Sequence, residues 1–508
     1  MSVSTIAIVV GVFLISFATR FAPWVRLREA TLLLASYTLY AHLAGATFLS
    51  FLIASSLGNY FIGTLLRRRP SVALLWCGIA FNVIVLSAFK YLPLVVDVTA
   101  AFPSEPDIVR RIVLPLGISF WTFQALSYLI DVYLEVDDDL NPSIIEFCLY
   151  MAFWPTVTSG PVCRLPKMLP QFRIPSRSLR DDLVIGTTRI AQGLFMKFVL
   201  AELMARGIPE GTGITAAFAS EANRTGPDVW ALAIGYGFQL FFDFAGYSNI
   251  VIGAARIIGI VLEENFNRPY LSRTPAVFWT RWHMSLSFWI RDYVHLPLTT
   301  LSRRQSWRYA ALVISMLIFG IWHDAKVTLV MWGLYHGLLL VLYRVGQEAV
   351  RRWPVSLPKP LGHVLSWAAT FMLMCLSYVF FRATSPSQAL QMLGAVVSPA
   401  TYSQITLPGE CYVMVAAAFC GYFMYVGVGD MLTRWTQYCT HQLSKYRRDA
   451  IGPGSLTPSR VAVLLTTEVI AVRRAWILAP ALTILLALTA VSMLSSGSGA
   501  APFIYTAF

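Results

Sequence analysis

Two histidines, His283 and His323, stand 40 residues apart in the 508-residue sequence, and each directly follows a tryptophan, Trp282 and Trp322. A neutral imidazole is the commonest general base of proteins, taking a proton from a hydroxyl as that hydroxyl attacks. Competing chemistries want other patterns. A zinc site would place His and Cys at short intervals or in a His-x-x-x-His turn, and a serine nucleophile would announce itself as G-x-S-x-G. Neither occurs, nor does a Walker phosphate loop. The seven cysteines, Cys77, Cys148, Cys163, Cys375, Cys411, Cys420 and Cys439, form no C-x-x-C pair and sit mostly in apolar runs, where they read as small buried hydrophobes. No metal is expected. Of the other histidines, His42 and His363 lie among apolar residues, His441 lies in a polar stretch, and His295 and His336 lack an obvious acid partner; structural roles fit all five. Acid–base work by histidine is the chemistry left open.

The surroundings of the pair differ. From Phe278 onward, Trp279, His283, Leu286, Ile290 and Tyr293 follow steps of four and three, which places them on one helical face, with Pro275 in the first turn. Arg281, Ser285, Arg291 and Asp292 fall elsewhere on that helix, which therefore belongs at a membrane interface or in a protein-lined cavity. His323 instead ends the apolar approach Ala310–Ile321 and lies near the end of a membrane helix, or deep within one.

The elements that must hold these residues are membrane helices. The chain is 57% hydrophobic and 13% charged, with a mean hydropathy of +0.63, and "STIAIVVGVFLISFA" and "ILAPALTILLALTAVSM" (Ile477–Met493) are apolar on nearly every face. About 10 to 13 embedded segments are expected, some of them re-entrant or interfacial, on a criterion of about 17–25 apolar residues per crossing. The first segment lacks the basic start of a signal peptide and reads as a retained helix. Arg20, Arg26 and Arg28 follow it, which by the positive-inside rule puts the N-terminus outside and this loop in the cytoplasm. Thr31–Leu66 is too long for one crossing and is expected as two helices. The net charge of +13 is spread over short loops, which fits an anionic inner leaflet rather than nucleic acid. Three stretches follow: N-terminal helices over 1–100, a core over 101–345 broken by Pro, Gly, Asp, Asn and His, and C-terminal helices over 346–508. The loop "HQLSKYRRDAIGPGSLTPSR" in the last is expected to be exposed.

Four motifs, "LPLGISFWTFQALSYLIDVY", "YGFQLFFDFAGYSNIVIGAARIIGI", "NFNRPYLSRTPAVFWTRWHMSLSFWIRDYVHLPL" and "GIWHDAKVTLVMWGLYHG", occur in that order. Together with "YVFFRATS" they resemble the membrane-bound O-acyltransferase family, in its bacterial branch of alginate O-acetylation and D-alanyl transfer membrane proteins. The resemblance implies an all-α ring of membrane helices around a thinned central funnel. It implies His323 as the catalytic base and His283 as the second family histidine, with Asn265, Trp282, Trp322 and Asp292 as candidates for holding substrate. It further implies acetyl-CoA as donor and no resident cofactor. The partners implied are a periplasmic or membrane-anchored esterase-like acetyltransferase and a polysaccharide synthesis and export complex in a bacterial inner membrane. One departure stands out: the family usually has Gly after the catalytic histidine, and here it is Asp324, expected to pair with Lys326 or another base. An aminoacyl thioester on a carrier protein is the rival donor. A transporter or flippase, whose broken helices would line a solute path, and a scaffold that has lost activity are the rivals of other classes.

Overall fold

The structure, a computed structural model, describes residues 3–91, 115–134, 141–175, 178–220, 223–353 and 357–449. The apolar run Ile477–Met493 lies outside them. Among the described residues the fold is all helical, apart from one isolated bridge between Phe266 and Trp282. It is a polytopic membrane fold, with seven described helices long and apolar enough to cross a bilayer.

Four N-terminal helices come first: α1 (Val3–Ala18), α2 (Val25–Ala44), α3 (Ala46–Arg68) and α4 (Val72–Lys90). The long apolar stretch expected to break does so at Gly45, whose φ of 95° lies in the region open to glycine. These helices pack on α5 (Ile118–Tyr133), α6 (Ile144–Ala152) and α7 (Leu165–Arg173) through Leu52, Trp121, Tyr128, Phe147 and Phe172. Between α6 and α7 the chain from Phe153 to Cys163 is non-helical yet largely buried. Irregular backbone survives at this depth because protein rather than lipid surrounds it.

The second core forms around α9 (Gly226–Ile258), whose 33 residues are buried on nearly every side. A helix apolar all round belongs at a bundle centre. It is flanked by α8 (Leu179–Phe195), which runs on through a π-helical turn at Met196–Ala201. Two short helices follow, α10 (Pro275–Trp279) and α11 (Met284–Ile290), then the hairpin of α12 (Gln305–His323) and α13 (Val327–Arg352). The last described helices are α14 (Lys359–Arg382), α15 (Pro386–Val397) and α16 (Gly409–Asp449).

Two sequence expectations need correction. The polar stretch from His441 begins as helix, since α16 continues to Asp449; the first strong helix breakers, Gly452 and Pro453, come three residues on. The face running from Trp279 to Tyr293 is not one helix either. α10 ends at Trp279, the chain pairs with Phe266 at Trp282, and α11 starts afresh after His283.

Candidate active site

His323 is the last residue of α12, at the tip of a tightly closed hairpin. A Cβ at Gly320 would lie 2.3 Å from the Leu329 carbonyl, and one at Gly333 would lie 2.5 Å from that of Met316, so the two backbones touch. The imidazole is 3% exposed. Phe319, one turn back, stacks on it at 5.3 Å, Trp332 and Phe381 meet it edge-on at 5.4 and 5.1 Å, and Trp322 lies at 4.8 Å. The imidazole thus sits in an aromatic cage drawn from three helices, with its backbone at the turn where the helix stops.

His283 is presented differently, by a clip of two short extended segments. The Met284 N–H donates to the Asn265 carbonyl and the Asn267 N–H to the Arg281 carbonyl. Two non-glycine residues take left-handed backbone conformations here, Arg268 (φ 49°) and His283 itself (φ 42°). Each such residue costs of order 1–3 kcal/mol and persists where surrounding structure dictates it. Asn265 supplies that structure. Fully buried, its side chain donates to Ser248 Oγ at 3.1 Å and accepts from Ser285 Oγ at 2.6 Å. Asn265 therefore shapes the clip that carries His283.

Trp322 joins the two histidines: its ring lies 6.4 Å from that of His283 and 4.8 Å from that of His323. On the far side of His283, Phe244 from α9 packs edge-on at 4.6 Å. Trp282 stacks on Phe278 at 5.5 Å and contacts Phe266 and Tyr270. Of the six candidate residues, the structure thus brings five into one buried assembly. The sixth, Asp292, is in ion pairs with Arg164 at 2.6 Å and Arg291 at 2.6 Å, in the π-helical turn after α11. Beside it Tyr293 donates to Asp131 at 2.7 Å.

His336, for which the sequence suggests a hydrogen-bonded structural role, is buried against Trp279 and Trp332 at 5.0 and 4.7 Å, and its Nδ1 has no hydrogen-bond partner among the described residues. His295 lies 3.4 Å from Ser315 Oγ and ties the turn after α11 to α12. Sequence reasoning misses the cage residues Phe319, Trp332 and Phe381; the motifs "GIWHDAKVTLVMWGLYHG" and "YVFFRATS" hold Trp332 and Phe381 without indicating what they touch.

A cavity of about 1280 Å³ lies between α8 and α16, and neither histidine lines it. Phe241 and Phe266 line it, and both rings pack on Trp282, so one aromatic layer separates it from the site. Another cavity, about 490 Å³, lies along α7 beside Arg164, Lys167 and Glu263.

Asp324, the residue that departs from the family pattern, turns onto its own loop. One carboxylate oxygen pairs with Lys326 at 2.9 Å and the other accepts the Ala325 N–H at 2.8 Å. Because Lys326 is 59% exposed, breaking that pair should cost no more than about 1 kcal/mol. Asp324→Asn keeps an oxygen for the Ala325 N–H, and its turnover is expected within about fivefold of wild type, the weight of such an exposed pair. Asparagine at 324 that stopped turnover as fully as removal of the His323 imidazole would place the carboxylate in the chemistry.

Comparison with known proteins adds to this geometry. Residues 112–384 match the model of the membrane-bound O-acyltransferase family, and residues 467–508 match a model described only as a family of unknown function. A probable alginate O-acetylase of Pseudomonas syringae pv. tomato is 36% identical over 73% of this chain and 70% of its own length. A peptidoglycan O-acetyltransferase of Helicobacter pylori is 31% identical over 72% of this chain and 73% of its own. A teichoic acid D-alanyltransferase of Streptococcus thermophilus is 34% identical, over 45% of this chain and 56% of its own.

Proposed function

Because this chain belongs to the membrane-bound O-acyltransferase family, and is an O-acyltransferase, we propose that it moves an acetyl group from cytoplasmic acetyl-CoA to an acceptor outside the bacterial inner membrane. The observation that carries this reading is the ring-to-ring path from His283 through Trp322 to His323. It sets a buried imidazole at a helix end, with a second imidazole one indole away.

In this reading His323 takes the proton of the acceptor hydroxyl as its oxygen bonds to the acetyl carbonyl carbon. The carbon–sulfur bond of the thioester then breaks, and the proton leaves with the coenzyme A thiol. His283, held by the Asn265 clip, lines the donor side together with Trp282 and Trp322. Asp292, paired with Arg164, anchors the segment that carries His283 and Trp282. No metal enters this scheme, and acetyl-CoA is a substrate rather than a resident cofactor. The basic loops draw the polyanionic donor to the cytoplasmic face, with the N-terminus on the opposite, periplasmic side. The final acceptor is an extracytoplasmic polysaccharide, and a periplasmic or membrane-anchored esterase-like acetyltransferase that works with the polysaccharide synthesis and export complex completes the transfer to it.

Aminoacyl transfer is the second reading, supported by the D-alanyltransferase similarity, but that similarity spans less of the chain than the O-acetylating relatives do. The donor decides between them. Purified protein in liposomes, given radiolabelled acetyl-CoA, is expected to release or transfer labelled acetyl. Transfer only from a D-alanyl carrier protein would establish the second reading instead. Substrate crossing the bilayer with its thioester intact would make the protein a transporter.

A further inference from the structure

A helix ends with four carbonyl groups that have no partner within it, and for α12 these belong to Gly320, Ile321, Trp322 and His323. Two of the four are taken by consecutive residues from the far end of the N-terminal helices. Lys90, the last residue of α4, donates from Nζ to the Trp322 carbonyl, and Tyr91 donates from its hydroxyl to the Ile321 carbonyl at 2.9 Å. The lysine is only 9% exposed. Its ammonium also stands 5.3 Å from the centre of the Trp322 ring, the indole that links the two histidines.

An ammonium is costly to bury and is usually paired with something that offsets the cost. Here the offsets are the negative end of a helix dipole and an indole face. The group is thus fixed at the end of the helix that bears the base. The cage of Phe319, Trp332 and Phe381 holds the imidazole ring of His323, whereas the Lys90–Tyr91 pair holds the backbone from which that ring projects. Both residues lie outside the stretch matched by the family model, 112–384.

We infer that Lys90 and Tyr91 form a clamp that positions His323 for acyl transfer. This rests on the reading of His323 as the base. The clamp touches neither donor nor acceptor in this scheme; it acts through the last turn of α12. Its loss should therefore lower the rate of the chemical step and leave donor binding alone.

The test measures kcat and KM for acetyl-CoA in liposomes for wild type, His323→Ala, Lys90→Met, Lys90→Arg and Tyr91→Phe, each checked for a single symmetric peak on size exclusion. Losing a hydrogen bond from a charged donor corresponds to about 10–100-fold, and losing a neutral one to about 3–10-fold. Those are the expected falls in kcat for Lys90→Met and Tyr91→Phe, with KM within about twofold of wild type, as befits loss of an interaction that acts on turnover alone. Lys90→Arg, which keeps the charge and the donor, should recover most of the lost kcat. Should Lys90→Met not fold, Tyr91→Phe carries the test, because it removes one bond of the clamp without removing its bulk. Wild-type kcat in a folded Tyr91→Phe or Lys90→Met, or a fall confined to KM, would overturn the clamp. An inert wild type would instead remove the acetyl-CoA reading beneath it, and full activity in His323→Ala would remove the base.

Discussion

Replacing His323 by alanine is expected to lower the rate of acetyl transfer by about 10²–10⁴-fold, the usual weight of a positioned general base. In the proposed scheme, an acceptor hydroxyl without the imidazole attacks while still holding its proton. The caged ring has no ready substitute: Phe319, Phe381 and Trp332, which surround it, offer aromatic faces and an indole donor but no base. Alanine also leaves a cavity among four rings, so part of any loss would come from repacking. His323→Gln separates the two effects, since glutamine fills much of the space, can donate and accept hydrogen bonds, and cannot serve as a base at neutral pH. Both variants should fall alike in kcat while migrating as folded protein. A glutamine variant that kept near-normal turnover would show that the imidazole packs the site rather than acting on the hydroxyl.

The pairing of tryptophan with histidine at 282–283 and 322–323 is legible in the amino-acid sequence, as is the membrane character, because residue identity and local order carry both. What the sequence hides depends on contacts distant along the chain. The spacing from Trp279 to Tyr293 fits a helix, yet the bridge from Trp282 back to Phe266 and the left-handed backbone of His283 interrupt it. Tertiary pairing overrides periodicity there, and no local pattern announces such a bridge. Lys90 is a sharper case. A lysine at the end of an apolar helix reads as one that reaches for the membrane surface; only the fold brings it to a helix end 232 residues later. The extension of α16 to Asp449 escapes the sequence for the opposite reason. A stretch rich in charge and turn formers reads as one unit, although its first residues are compatible with a helix and its breakers come only afterwards.

The largest loss of stability is expected from a residue outside the site, Asp182, in the first turn of α8. Its carboxylate is fully buried between two guanidinium groups, with Arg20 Nη2 at 2.7 Å and Arg256 Nε at 2.6 Å. Arg20 also donates to the Ile257 carbonyl at 3.2 Å. Three pieces of chain meet here: the turn after α1, the start of α8 and the last turn of α9. Asp182→Ala removes the only negative group of this triad and leaves two cations facing each other, with the Arg20 side chain just 5% exposed. Breaking a buried ion pair from one side costs about 3–5 kcal/mol, whereas an exposed pair such as Lys167–Glu263, with the lysine 66% exposed, should cost no more than about 1 kcal/mol. Thermal unfolding in detergent should therefore separate Asp182→Ala clearly from Glu263→Ala. Replacing all three members by apolar residues of similar size should restore much of the loss, because an apolar cluster carries no uncompensated charge. Activity should follow stability, since α9 carries Phe244 against His283 and Phe241 against Trp282, and slackening its end loosens the wall of the site. An Asp182→Ala protein as heat-resistant as wild type would mean that water reaches the two arginines, and that the triad adds little to the joining of these three segments.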